Sequence, residues 1–236
     1  MWIHATFLYA TLALCALGIA AAMRRYDVFP REPWYSILGA VLVGALLMWI
    51  AGRCQVWAVM RIFDRTGEYP SNAVFAALAA GTEELGKLLA VGFVAVCFRK
   101  VFEETSDGVV YGGFAGLGAA ILESVYNVGV PMEFQVLPLE EPVRLAGHLI
   151  MGAVTGSGMG MFAVRKRKCL LTIPAGLFLG FLLHFLWDVV AFETADYVRD
   201  HGQPLWSQNV ASMGVMVCGM VLFRVAAWRA GARLPS

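Results

Sequence analysis

NAVFAALAAGTEELGKLLAVGFVAVCF, residues 72–98, is apolar along nearly its whole length and yet carries Glu83, Glu84 and Lys87 at its middle. The run exceeds the roughly 20 residues that a membrane-spanning helix needs. A charge near the bilayer centre costs about 3 kcal/mol or more, so residues of this kind face the interior of a bundle and mark function. Lys87 stands four positions after Glu83 and three after Glu84, within helical reach of either carboxylate. One lysine neutralises one of them and leaves the other free. Neighbours on a helix diverge by about 100°, so the two glutamates cannot do the same job.

The rest of the chain repeats this pattern. Further apolar runs lie at about 2–22, 34–52, 109–130, 143–164, 170–192 and 209–228, and short loops separate them. The 236 residues are 59% hydrophobic and 15% charged, where soluble domains carry about 25% charge. The expected fold is all-α: one polytopic bundle of about seven transmembrane helices over residues 1–236, multi-pass in the lipid bilayer of a cell (inner or plasma) membrane. A net charge of +1 without a basic–aromatic patch gives no reason to expect a nucleic-acid partner. Cys15, Cys54, Cys97, Cys169 and Cys218 form no CxxC pair and read as free thiols in or beside helices. The first run ends in Ala20-Ala21-Ala22, as a cleaved leader does, but its basic residues Arg24 and Arg25 follow it. It is therefore read as an anchor.

Loop charges orient the bundle. Arg24, Arg25, Arg31, Arg99, Lys100, Arg165, Lys166, Arg167, Lys168, Arg229 and Arg233 fall on one side, against Arg61, Arg65, Arg144 and Arg199 on the other. The richer side is cytoplasmic, which places the N-terminus outside and the C-terminus inside.

Other polar residues sit at matching depth. Glu123 lies in the fourth run, His148 in the fifth, and His184 with Asp188 in the sixth. At 1.5 Å per residue, Glu83, Glu123, His148 and His184 all fall about 8–16 Å from the same face. Each also ends a stripe of small residues. His148 continues as Gly152, Gly156 and Gly160, Gly176 and Gly180 lead to His184, and Gly112 and Gly116 share a flank with Ala119, Glu123 and Asn127. Such stripes let membrane helices approach closely, so the polar groups point at neighbouring helices. Tyr111 and Asn127 are candidate supporting hydrogen-bond groups. A buried carboxylate is a candidate general base, and two histidines with one carboxylate form a zinc-ligand set that leaves a position for water. His148, His184 and Glu83 are the candidate ligands, and Zn2+ the candidate cofactor. HExxH and GxSxG settings are absent.

Four stretches now resemble one family. Glu83-Glu84-xx-Lys87 resembles the EExxK motif of PrsW-type intramembrane proteases, which are related to the CAAX prenyl endopeptidase and Abi membrane protease group. Asp107 through Gly116-Leu117-Gly118 to Glu123 resembles the second motif, with Ser124 where Asn is common. Arg144-xxx-His148 with Thr155 and Gly156 resembles the third, and His184-xxx-Asp188 the fourth, which elsewhere often ends in Asn. The resemblance covers about residues 72–190, the expected core of the enzyme. It implies hydrolysis of a peptide bond in a membrane-embedded, single-span protein such as an anti-sigma factor. By that resemblance Glu83 activates water with Glu84 as its partner, His148 and His184 bind the water or a metal, and Glu123 is an additional ligand or base. Asp188 takes the place of the oxyanion-stabilising asparagine. Metal-dependent and glutamate-type mechanisms both remain open at this point.

Two other readings use the same inventory. A zinc-dependent lipid amide hydrolase of ceramidase type needs similar residues and a slot for acyl chains. An ion-coupled transporter would pass ions along them, and would be expected to show inverted repeats and broken helices. For the orientation, the expected outcome in a cysteine-free background is labelling of Glu140→Cys by an impermeant reagent added outside, and protection of Lys166→Cys. The opposite pattern would invert the topology.

Overall fold

The computed structural model describes residues 2–25, 31–129, 137, 140–165, 171–203 and 206–229. Among them it contains seven helices and no strand: α1 Trp2–Met23, α2 Trp34–Thr66, α3 Asn72–Cys97, α4 Thr105–Gly129, α5 Glu140–Arg165, α6 Thr172–His201 and α7 Trp206–Arg229. Five of them, α2 and α4 to α7, are long and apolar enough to cross a membrane. α1 runs over 22 residues, Trp2–Met23, and α3 carries the three charges at its middle. Pro131, Glu133, Pro138, the Lys166–Lys168 run, Cys169, Pro204 and Arg233 lie outside the described residues.

The largest differences from the sequence reading are at three helix ends. A second helix closing near residue 52 stops at the first charge, Arg53, whereas α2 continues to Thr66. Its end is set by Gly67 at φ 75°, whose N–H bonds back to the Phe63 carbonyl. This left-handed C-cap suits glycine because other residues pay for their Cβ there. α6 likewise passes residue 192 and ends at His201, capped by Gly202 at φ 80°. Hydropathy falls at the first charged residues, but a helix persists until its backbone is capped. α4 starts earlier than residue 109 because Asp107 reaches back, its Oδ2 accepting the Glu103 and Glu104 N–H groups at 2.7 Å each. At 33 and 30 residues, α2 and α6 measure about 50 and 45 Å against a hydrocarbon core of about 30 Å. Their C-terminal turns therefore project past the apolar layer, on the same face of the bundle. There Asn72, the first residue of α3, donates to Glu193 at 3.1 Å and Asp196 at 2.8 Å on the α6 extension.

α4 and α5 form the centre. Of their spanning segments 78% and 72% are buried, against 22% for α2, α6 and α7. Val110, Phe114 and Leu117 of α4 pack with Leu145, Leu149 and Ala153 of α5, joined by Leu12 and Ala16 of α1 and Val91 and Val94 of α3.

What lets α4 and α5 meet is the absence of side chains along their seam. A Cβ at Gly112 would lie 2.2 Å from the Gly152 carbonyl oxygen, one at Gly156 2.1 Å from that of Gly108, and one at Gly116 2.0 Å from that of His148. These obstacles are backbone atoms on a packed helix, which cannot rotate away. On the other flank of α4, a Cβ at Gly118 would stand 2.0 Å from the Val41 carbonyl oxygen of α2. Without a hydrophobic drive between helices inside lipid, close backbone packing of this kind supplies much of the association.

A steric prediction follows. Gly156→Ala is expected to lower stability by about 1–3 kcal/mol, the usual cost of overpacking, in reversible unfolding from mixed micelles. Gly214→Ala on α7, where a Cβ meets nothing within 4 Å, should stay within about 0.5 kcal/mol of the parent. Equal stability of the two variants would show that the seam is not tightly closed.

Candidate active site

The polar residues flagged on α3, α4, α5 and α6 converge in one buried region. The adjacent glutamates of α3 diverge, as their helical spacing requires. Glu84 is fully buried and holds a three-helix cluster together. It pairs with Lys87 one turn on, accepts from Thr155 Oγ1 of α5 at 2.7 Å, and lies 2.9 Å from His184 Nδ1 of α6. A carboxylate only accepts, so the imidazole donates through Nδ1 and turns Nε2 the other way. Gly180, one turn before His184, makes room for this cluster: a Cβ there would sit 1.9 Å from Thr155 Oγ1 and 2.9 Å from Glu84 Oε2.

Glu83 occupies the space on the other side of His184. Its Oε2 is 3.6 Å from His184 Nε2 and 4.0 Å from His148 Nδ1. The two imidazole rings meet edge to face, with centroids 4.9 Å apart at 72°. One ligand atom from each of Glu83, His148 and His184 lies within 4.8 Å of the others, and all three residues are buried. Glu83 Oε2 and His148 Nδ1 have no hydrogen-bond partner. Buried polar atoms without partners are rare, because each forfeits its solvation for nothing.

Each histidine is backed by a second carboxylate. Glu84 serves His184, and Glu123 Oε2 approaches His148 Nε2 to 3.2 Å. Glu123 is itself held by Arg144 Nε at 3.3 Å and by Asn127 Nδ2 at 3.5 Å, and Arg144 also pairs with Glu141. Asp188, one turn after His184, places Oδ2 3.6 Å from the same Nε2 that faces Glu83.

These donors fit a divalent metal. A tetrahedral zinc with ligands at about 2.0–2.2 Å separates its donor atoms by about 3.3–3.5 Å. The observed 3.6 and 4.0 Å are slightly open versions of that geometry. Two histidines and a carboxylate, each histidine with its far nitrogen toward an acidic group, is also the arrangement by which outer carboxylates orient metal-binding imidazoles.

Of the positions singled out from sequence, Glu83, Glu84, Lys87, Glu123, Asn127, His148, His184 and Asp188 meet here. Tyr111 does not, which corrects its expected supporting role. It precedes Glu123 by 12 residues, about 18 Å along α4, and its hydroxyl bonds to Glu32 and, at 2.9 Å, to Ser36 near the start of α2. The helical stripe carried it toward α2. Conversely, the sequence reading passed over Gln55. Its Nε2 donates to Thr82 Oγ1 at 3.0 Å and to Glu83 Oε1 at 3.2 Å. The same pattern that marked the histidines would have found it, since Ser36, Ala40, Gly44 and Ala51 form the buried small-residue line of α2 and Gln55 extends it by one turn.

Comparison with known proteins agrees with this geometry. The family model described as PrsW family intramembrane metalloprotease matches residues 32–225, which takes in every residue of the site, Gln55 included. The chain is similar to Protease PrsW of Geobacillus kaustophilus, 30% identical over 73% of this chain and 75% of that protein. It is similar to Protease PrsW of Shouchella clausii, 24% identical over 80% of this chain and 86% of the relative. With Protease PrsW of Bacillus subtilis the identity is 22% over 78% and 83%. No solved structure matches. Four helices that bring two glutamates, two histidines and their acidic partners to one point are thus matched by the residues the family model covers, and the chain belongs to the PrsW family of intramembrane metalloproteases.

Proposed function

We propose that Glu83, His148 and His184 form the hydrolytic centre of this intramembrane peptidase, with Zn2+ as the metal they hold. The observation that carries the reading is the meeting of three buried donor atoms, two of them without any other partner. A bound divalent metal would supply Lewis acidity and lower the pKa of water toward neutrality. The chain's own groups do the rest. His184, fixed by Glu84, and His148, set by Glu123, would each turn the remaining nitrogen to the metal. Glu83 Oε2, which has no hydrogen-bond partner, would hold the metal at rest and, once released from it, take the proton of the attacking water as the new bond to the peptide carbonyl forms. The proton then passes to the departing amine nitrogen as the C–N bond breaks. Asp188 Oδ2 lies 3.6 Å from His184 Nε2 and adds negative charge beside the nitrogen that would hold the metal. Glu84 and Lys87 neutralise each other and keep the site assembled.

The remaining assignments rest on the family resemblance and on loop charge. We read residues 1–236 as one transmembrane unit with its catalytic core at about 72–190, in the plasma membrane, N-terminus outside and C-terminus inside. The substrate class is a single-span membrane protein of the anti-sigma-factor kind.

Two predictions test the centre. In cleavage of a single-span substrate, scored per amount of folded enzyme, Glu83→Gln should lower turnover by at least about 100-fold. His148→Ala and His184→Ala should be comparably inactive and retain no stoichiometric zinc. Asp188→Asn should be milder. Chelation should abolish cleavage and added zinc restore it. Full cleavage by the Glu83→Gln, Glu84→Gln double variant would sink the assignment. Lys87→Ala strands Glu84 without its cation and should cost about 3–5 kcal/mol of stability, read as loss of folded protein before any loss of chemistry per folded molecule.

A further inference from the structure

We propose that Gln55 is a positioning residue of the active site, an amide clamp supplied by α2 that fixes which way Glu83 points. The inference rests on the site reading above and adds a residue, and a helix, that the four motifs do not contain.

The argument begins with Thr82. Its hydroxyl donates to the Leu78 and Ala79 carbonyls at 2.8 and 3.1 Å, so its oxygen is left to accept. Gln55 Nε2 meets that oxygen at 3.0 Å and Glu83 Oε1 at 3.2 Å. Both partners accept, and an amide nitrogen carries two hydrogens. The orientation of the Gln55 amide is therefore determined: nitrogen toward α3, both hydrogens used. Glu83 Oε1 is thereby taken, and the carboxylate can offer the histidines only Oε2, the oxygen found 3.6 and 4.0 Å from them.

A carboxylate held at one oxygen loses freedom at its terminal torsion, which is otherwise broad. The clamp keeps Oε2 aimed between the imidazoles without spending a charge. An arginine or lysine in this place would compete for Glu83 as an ion pair, whereas the neutral amide orients it and leaves its charge for the site. Gln55 is half-buried, while its neighbours Val56 and Trp57 are 58% and 64% exposed. It is thus the inward-facing polar group on an otherwise outward-facing turn of α2.

The test uses full-length protein in lipid nanodiscs. Zinc affinity is read by competition with a chelator, cleavage by turnover of a single-span substrate, and folding by thermal unfolding. Gln55→Met removes both donors at similar volume. Zinc affinity and kcat should each fall about 10- to 100-fold, the range for losing an outer partner of a metal ligand, with KM little changed. Gln55→Glu keeps size and polarity, guards against a folding failure of the first variant, and sets carboxylate against carboxylate. Its loss of zinc affinity should be at least as large. In a Glu83→Ala background, adding Gln55→Met should lower zinc affinity no further, because the clamp then has nothing to hold.

Wild-type zinc affinity in folded Gln55→Met or Gln55→Glu overturns the proposal, as does full additivity with Glu83→Ala. A wild-type protein that holds no zinc and still cleaves after Glu83→Ala fails differently. That outcome sinks the site reading itself, and the role of Gln55 with it.

Discussion

The buried carboxylate of Glu84 is the contact on which the architecture of the site depends. It lies in a low-dielectric interior and touches one group from each of three helices: Lys87 on its own α3, Thr155 on α5 and His184 on α6. An unpaired ion in such surroundings is costly, so the surrounding groups must stay where they are. That requirement fixes α3 against α6 in rotation and depth. It also fixes the His184 tautomer, and so decides which nitrogen faces Glu83. A group with no direct part in the chemistry thereby determines the geometry of the groups that have one.

The division of labour between neighbouring glutamates follows from helix geometry alone. With about 100° between them, Glu84 turns into the α5–α6 contact and Glu83 into the space between the histidines. Glu84 is saturated with partners, whereas Glu83 keeps one oxygen free. Each histidine repeats the scheme at the scale of a ring, one nitrogen on a carboxylate and one toward the centre. Polar groups inside a bundle are tolerable only when most of them are satisfied. Here two of the unsatisfied ones, Glu83 Oε2 and His148 Nδ1, face each other at the centre of the site.

Much of this was legible in the sequence, and the omissions have physical causes. Glu83, Glu84, His148 and His184 announced themselves because polar residues in apolar runs are expensive, and their small-residue stripes gave the facing. The depth estimate for His184 was less sound. It was measured from an assumed end near residue 192, whereas α6 continues to His201. Hydropathy reports where apolar character stops, while a helix stops where its backbone is capped, and Gly67 and Gly202 do that work. Gln55 escaped notice for the same reason, since it lies beyond the residue at which the second run was closed. Tyr111 illustrates the reverse error: a polar residue on the right helix but three turns away, engaged by Glu32 and Ser36. Membership of a helix does not fix a height along it, and height is settled only by the partners that a neighbouring helix offers.

The glycine seam of α4 and α5 has a mechanical consequence. Two helices cushioned by leucines can slide a little, because flexible side chains absorb the shift. Here carbonyl oxygens of one backbone sit where the Cβ atoms of the other are missing, at intervals of four residues along Gly108, Gly112 and Gly116. A shift of one or two residues would drive Cβ-bearing positions into those oxygens, and the next register that fits lies about 6 Å away, one full interval. The seam therefore acts as a detent with discrete stops. The spacing of His148 and Glu123, carried on its two sides, is indexed in steps the size of a helical turn instead of being tuned by small sliding motions.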